Sequence, residues 1–292
     1  MKKFLTVIMV GLTIALLTST ITLVAYYTGD NSEVAQKSNK QTKKTTQSSA
    51  KQSDDTTEEQ VNWTKSEQAI YFPIIAYHQI SDTAVDDTTV AISEFKEEME
   101  ALKEAGYYTL TPDEAYRVLT TGEVPSDKLI WITFDDGSME SYKNVVPILN
   151  ELKLKATFNV FTGTQEDDVM SETEWRALKK NSLISLGSQA VDNVDLSLAS
   201  DVNQSYELSE SKKTLDSVLK QDTSVISYPS GKYNEQITSL AESNGYKLGL
   251  TTNGGLAAAE DGLYSLSRIE MTAEQTKDTF LTEITPAAWG LS

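Results

Sequence analysis

The chain of 292 residues has no cysteine and a single histidine, His78. The first absence excludes disulfides and every chemistry that needs a thiolate. It is compatible with a location outside the cell, because a domain of this size holds its core without cross-links. The second leaves any imidazole chemistry to one side chain. Cations are scarce as well: beyond Ser66, 17 basic residues face 37 acidic ones, a net charge of −20. Such a surface is a poor partner for nucleic acid. The acidity serves solubility or attracts polycations, among them glycans that have lost acetyl groups, and composition does not separate the two.

Large apolar side chains are almost missing from Asp30 to Lys65, where Ser, Thr, Gln, Lys and Asp prevail. A stretch of that kind cannot bury enough surface to offset chain entropy, so residues 30–66 are expected to be a disordered polar linker. Before it, Lys2 and Lys3 precede an uncharged run from Phe4 to Tyr27. At about 1.5 Å per residue, such a helix crosses a hydrocarbon core of roughly 30 Å. Residues 1–29 are therefore expected to be a signal-anchor, a single transmembrane span with its lysines inside and the rest of the chain outside the cell. A cleaved signal peptide, giving a secreted protein, is the alternative; Leu23–Tyr27 offers a poor small-x-small site for it.

What remains, residues 67–292, is the right size for one domain. β-rich runs alternate with helical ones: Ala69–His78, Leu129–Phe134, Ala156–Phe161, Ile184–Gly187, Ser224–Tyr228, Tyr246–Thr251 and Tyr264–Ile269 read as strands. An amphipathic helix carries Phe95, Met99 and Leu102, and Thr111-Pro112-Asp113-Glu114 and Ser171-Glu172-Thr173-Glu174 are capping boxes that start two more. This alternation is the α/β class. Seven or eight strand–helix units in one domain suit a distorted (β/α) barrel, with a doubly wound open sheet as the other solution. In both, chemistry gathers at the C-terminal ends of the strands.

The strongest local signal is Ile132-Thr133-Phe134-Asp135-Asp136-Gly137-Ser138, an apolar strand ending in two adjacent carboxylates and a glycine. Asp-Asp-Gly is also ordinary turn chemistry. Two neighbouring acids do permit a division of labour, one holding a divalent cation while the other acts as base on a metal-bound water. Taken without context, Arg268 reads equally as a surface cation, Tyr228 as a half-buried strand aromatic and His78 as a structural histidine.

Thr133-Phe134-Asp135-Asp136-Gly137 resembles the first motif of the polysaccharide deacetylases, metal-dependent esterases that remove N-acetyl groups from chitin-like, peptidoglycan and poly-N-acetylglucosamine chains. The likeness runs over residues 70–280. Ala156–Phe161 and Tyr246–Asn253 are similar to later family strands, and Ser227–Asn234 to its Tyr-Pro-x-Gly groove motif. Ala76-Tyr77-His78-Gln79-Ile80 looks like the amino-terminal Tyr-His motif of the poly-N-acetylglucosamine branch. The resemblance implies Asp135 as general base, His78 as general acid and Arg268 as the cation that orients Asp135. It implies Asp136 as a metal ligand, and a sugar groove at Tyr228, Pro229, Gly231 and Tyr233, with Trp131 beside it. It also implies a divalent metal, zinc or similar, and a GlcNAc-containing polysaccharide as partner.

One motif departs. Where the family carries Gly-Ser-His-Thr-x-x-His, this chain reads Gly187-Ser188-Gln189-Ala190-Val191-Asp192-Asn193, so Gln189 and Asn193 stand at the two ligand-histidine positions. Neutral amide oxygens are weak ligands suited to harder ions, and Asp192 is expected to point away from the face they share. Two functions follow as expectations: an extracellular N-deacetylase of GlcNAc-containing cell-wall or exopolysaccharide glycans, or a glycan-binding or scaffolding module without turnover.

Overall fold

A computed structural model describes residues 61–83, 86–163 and 166–291. The expected transmembrane segment and nearly all of the expected linker lie outside the described residues. Among the described residues no helix is long and apolar enough to cross a membrane.

Seven parallel strands close into a barrel: β1 (Ile74–Tyr77), β3 (Leu129–Phe134), β4 (Ala156–Val160), β5 (Ile184–Ser188), β6 (Val225–Ser227), β7 (Leu248–Gly254) and β8 (Leu266–Glu270). A short β2 (Tyr108–Thr109) adds to the start of β3. The ring runs β1-β8-β7-β6-β5-β4-β3 and returns to β1, where Ile74 pairs with Trp131 and Tyr77 with Phe134. The barrel is thus the solution the chain adopts, and the open sheet is not.

β3 shows how the residues divide. All six positions of Leu129–Phe134 are buried, as a strand covered on both faces requires. Ile130, Ile132 and Phe134 point out into the layer beneath the helices, and Leu129 and Trp131 point into the barrel. The period of two carries the inward series on through Thr133 to Asp135. The outer layer is sealed by stacked aromatics, Tyr77 on Phe134 at 5.3 Å and Phe134 on Phe158 at 4.7 Å. Over them packs α1 (Ile92–Glu104) through Phe95, Met99 and Leu102.

The other helices are α2 (Pro112–Thr121), α3 (Met139–Leu152), α4 (Glu172–Leu178), α5 (Asp201–Leu219), α6 (Glu235–Ser243) and α7 (Lys277–Glu283). Both anticipated capping boxes form: Thr111 with Glu114 opens α2, and Ser171 with Glu174 opens α4. The linker boundary requires correction. Thr64–Lys65, placed in the disordered stretch, pairs antiparallel with Glu123–Val124, and the Arg117 guanidinium lies 4.2 Å over the Trp63 ring. One large aromatic in an otherwise polar segment is enough to fasten its end to the barrel.

Candidate active site

The inward series of several strands converge at one end of the barrel. Asp135, one residue past β3, is only 2% exposed. Its Oδ1 accepts from Asn159 at 2.8 Å and from Arg268 Nη1 at 3.1 Å; its Oδ2 accepts from Ser227 at 2.8 Å and from Arg268 Nη2 at 2.7 Å. Arg268 is fully buried, and its remaining donors reach the Thr251 carbonyl and the Thr133 and Ser227 hydroxyls. This is a bidentate, fully satisfied ion pair, the arrangement a buried charge requires. Burial pushes the Asp135 carboxyl up, but the Arg268 charge and hydrogen bonds outweigh it and bring it down to about 2.

Asp136 turns away at the mouth in the left-handed region, φ 66°. Asp tolerates that conformation better than most residues. Its backbone N–H donates to Gln189 Oε1 at 2.5 Å, and Gln189 Nε2 donates to its Oδ1 at 2.9 Å. Because the backbone N–H can only donate, the Gln189 oxygen must face it, which fixes the amide orientation and turns the NH2 toward the carboxylate. Asp136 Oδ2 lies 2.8 Å from His78 Nδ1, and His78 Nε2 lies 2.9 Å from Glu270 Oε2. Burial alone would lower the imidazole, but these two carboxylates raise it to about 10. His78 is therefore an imidazolium at neutral pH, bridging strands β1 and β8 with the turn after β3.

The structure thus brings together Asp135, Asp136, His78, Arg268 and Gln189, and it adds Asn159, Ser227 and Glu270, which the sequence reading did not single out. A small cleft of about 200 Å³, lined by His78, Gln79, Asp86, Thr88, Asp136 and Ser138, opens over the His78–Asp136 pair. A larger depression, about 750 Å³, lies instead by the N-terminal ends of the strands, between residues 66–71 and Pro286 and Leu291, and none of these side chains lines it.

Four of the residues expected at the sugar groove need correction. Trp131 sits inside the barrel at 0% exposure, its indole donating to Thr157, and cannot face a glycan. Tyr228 follows the outward series of β6: it is buried against α6 with its hydroxyl donated to the Tyr264 carbonyl. Pro229 and Gly231 are buried too and serve as a turn; Gly231 has φ 65°, and a Cβ there would meet the Thr252 hydroxyl at 2.1 Å. Tyr233 alone of those expected there is half-exposed, stacked on Tyr228 at 5.5 Å and accepting from Asn253.

Whether these residues fit a divalent cation is decided by Asp136 and Gln189. Both carboxylate oxygens of Asp136 already face donors, and Gln189 presents N–H rather than a lone pair toward the carboxylate. Asn193 is exposed, and so is Asp192, whose Oδ1 lies beside Gly163. Among the described residues no three His, Asp or Glu side chains are arranged to hold a metal. The donor set does not fit the family's ion.

A model of the polysaccharide deacetylases matches residues 122–249. YxkH of Bacillus subtilis, a protein carrying the polysaccharide deacetylase name, is 35% identical over 219 residues, 75% of this chain and 77% of that one. The chain belongs to the polysaccharide deacetylase family. The solved Streptococcus pyogenes deacetylase PplD, in complex with acetate, matches with TM-score 0.72 and 35% identity over 75% of this chain and all of that one. The poly-β-1,6-N-acetyl-D-glucosamine N-deacetylase of Staphylococcus aureus is 25% identical over 72% of this chain and 77% of its own. Gln189, at the position where a ligand histidine is expected from the sequence, is closed into a hydrogen-bond pair with Asp136.

Proposed function

We propose that this polysaccharide deacetylase-family domain recognises GlcNAc-containing polysaccharide outside the cell, held at the membrane by the segment before it, and that it binds the glycan without hydrolysing it. The substrate class rests on the family and on the relative named for poly-β-1,6-N-acetylglucosamine; the membrane anchor rests on Lys2, Lys3 and the uncharged run to Tyr27.

The observation that carries the reading is the closed pairing of Asp136 with Gln189 and His78. It supports a site that keeps its shape with no ion in it.

A second reading, attenuated N-deacetylation, is favoured by the retention of Asp135 paired with Arg268 and of His78 against the neighbouring Asp136. Calorimetry of the full chain separates the two. With GlcNAc oligomers in EDTA, binding is expected, and no acetate is released when Zn²⁺, Co²⁺, Mg²⁺ or Ca²⁺ is supplied. Tight binding of one of these ions that disappears in Asp136→Ala, accompanied by acetate release, would replace the first reading with the second.

A further inference from the structure

Six large apolar side chains are conspicuously exposed among the described residues, and four of them fall within one short stretch: Val194 (38%), Leu198 (84%), Val202 (78%) and Tyr206 (53%). Scattered single exposures are normal and need no explanation, but a concentrated set marks an interaction surface. Their spacing is four residues throughout. Val202 and Tyr206 therefore lie one above the other on α5, and Leu198 sits in the 3₁₀ turn, Leu196–Leu198, that leads into that helix.

This ridge is continuous with the barrel mouth. The segment that bears it begins at Gln189, and Glu207, on the buried side of α5, accepts from the backbone N–H groups of Val191 and Asp192, both at 2.9 Å. Leu196 and Leu208 turn inward and pack in the same apolar cluster as Tyr228, with Tyr233 against it. The half-exposed Tyr233 and the ridge are thus carried by one packed unit, held in a fixed relation.

Charge narrows the occupant. Asp192, Asp195, Asp201 and Glu210 lie among or next to the apolar positions in sequence, with Lys213 paired to Glu210, and the domain carries a net charge of −20. Anionic phospholipid, nucleic acid and a second copy of the domain would all be repelled. A neutral polymer of pyranose rings is not: its sugar faces are apolar CH surfaces that stack on Tyr, Leu and Val, and its hydroxyl edges remain in water.

We infer that Val194, Leu198, Val202 and Tyr206 form an outer docking ridge for successive sugar rings of a neutral polysaccharide whose chain passes the barrel mouth. This deepens the glycan-binding reading and rests on it.

The test compares GlcNAc oligomers of two and six units by calorimetry with the full chain, as wild type and as the triple variant Leu198→Ser, Val202→Ser, Tyr206→Ser. All three positions face solvent, so the fold is expected to be unaffected, with an unchanged melting temperature as the check. The expected result is an unchanged affinity for the short oligomer and a loss on the order of tenfold for the long one, equivalent to about 1.4 kcal/mol. Equal affinity of wild type and variant for the long oligomer overturns the ridge while leaving glycan binding intact. So does a variant that instead loses binding to phosphatidylglycerol vesicles or shifts from dimer to monomer. Wild type that binds neither oligomer overturns the glycan reading itself, and the ridge with it.

Discussion

Gln189 and Asp136 form a closed two-point pair, backbone N–H to Oε1 at 2.5 Å and Nε2 to Oδ1 at 2.9 Å, with Gln189 only 2% exposed. Removing it leaves a polar backbone group and a carboxylate oxygen without partners. Gln189→Ala is expected to lower unfolding free energy by about 1–3 kcal/mol, measured by urea denaturation. Gln189→Glu, nearly isosteric, sets carboxylate against carboxylate and should be worse at pH 7 than at pH 4. A loss below about 0.5 kcal/mol, ordinary for a surface change, would mean the pair does not hold the turn.

Arg268 is expected to be the most costly substitution in the barrel. Arg268→Met strands a buried carboxylate, a loss of about 3–5 kcal/mol. The pair also sets the acid limb. Asp135 is held at about 2, below its ordinary 3.8, so its stabilisation is present above the unfolded value and disappears as pH falls toward 2. The wild type should therefore lose about 2 kcal/mol between pH 5 and pH 2 from this group alone, a component absent from the variant's pH series.

His78 is the chain's single histidine, which makes its titration readable by NMR without assignment. With Asp136 and Glu270 on its two nitrogens, the imidazole should remain protonated to about 10. A folded value raised above the ordinary 6.5 contributes stability that is complete below pH 6.5 and is lost as pH rises through about 10. Glu270→Gln should bring the titration down by at least about one pH unit. A wild-type midpoint near 6.5 would show that the ring is not bridged.

Glu98 on α1 behaves in the opposite sense to Asp135. Its Oε2 accepts from the Tyr77 hydroxyl at 2.5 Å while Oε1 is buried without a partner. Burial pushes its carboxyl up to about 8, against the pull of Tyr77. Stability should therefore fall as pH rises from about 4.5 to 8, because the unfolded chain ionises first. Glu98→Gln should flatten that slope and leave the variant the more stable protein at pH 8, by on the order of 2 kcal/mol, in thermal melts across the range. A wild-type curve without the slope would remove Glu98 as its source.

The seven barrel strands were legible because each is an apolar run bounded by turn residues, and the capping boxes because their spacing is local. β2 was not, since Tyr108–Thr109 is too short to show a period. The site was legible where a motif stands on a strand end, as at Asp135, Asp136 and Arg268. Asn159 and Ser227 escaped because an Asn or Ser in a β run carries no signal until the barrel aims it at Asp135; the period of two, followed inward from Val225, reaches Ser227. The same period could have removed Tyr228 and Trp131 from the groove, since one faces outward and the other lies deep. The linker boundary was missed because Trp63 acts through a partner, Arg117, that lies 54 positions along the chain.

The ring closes between β1 and β8, the strands nearest the two ends of the domain: Ile75 pairs with Ile269 and Ala76 with Glu270. Contacts of that sequence separation form slowly, after the intervening chain is in place. His78 follows one of these strands and Arg268 sits in the other, so neither the seam nor the mouth exists until nearly the whole domain has been synthesised. A nascent chain halted before residue 266 would expose an unpaired edge of β1 and carry no site, which makes completeness of translation a precondition for ligand recognition, and makes loss of a short carboxy-terminal piece as disabling as loss of the motif around Asp135.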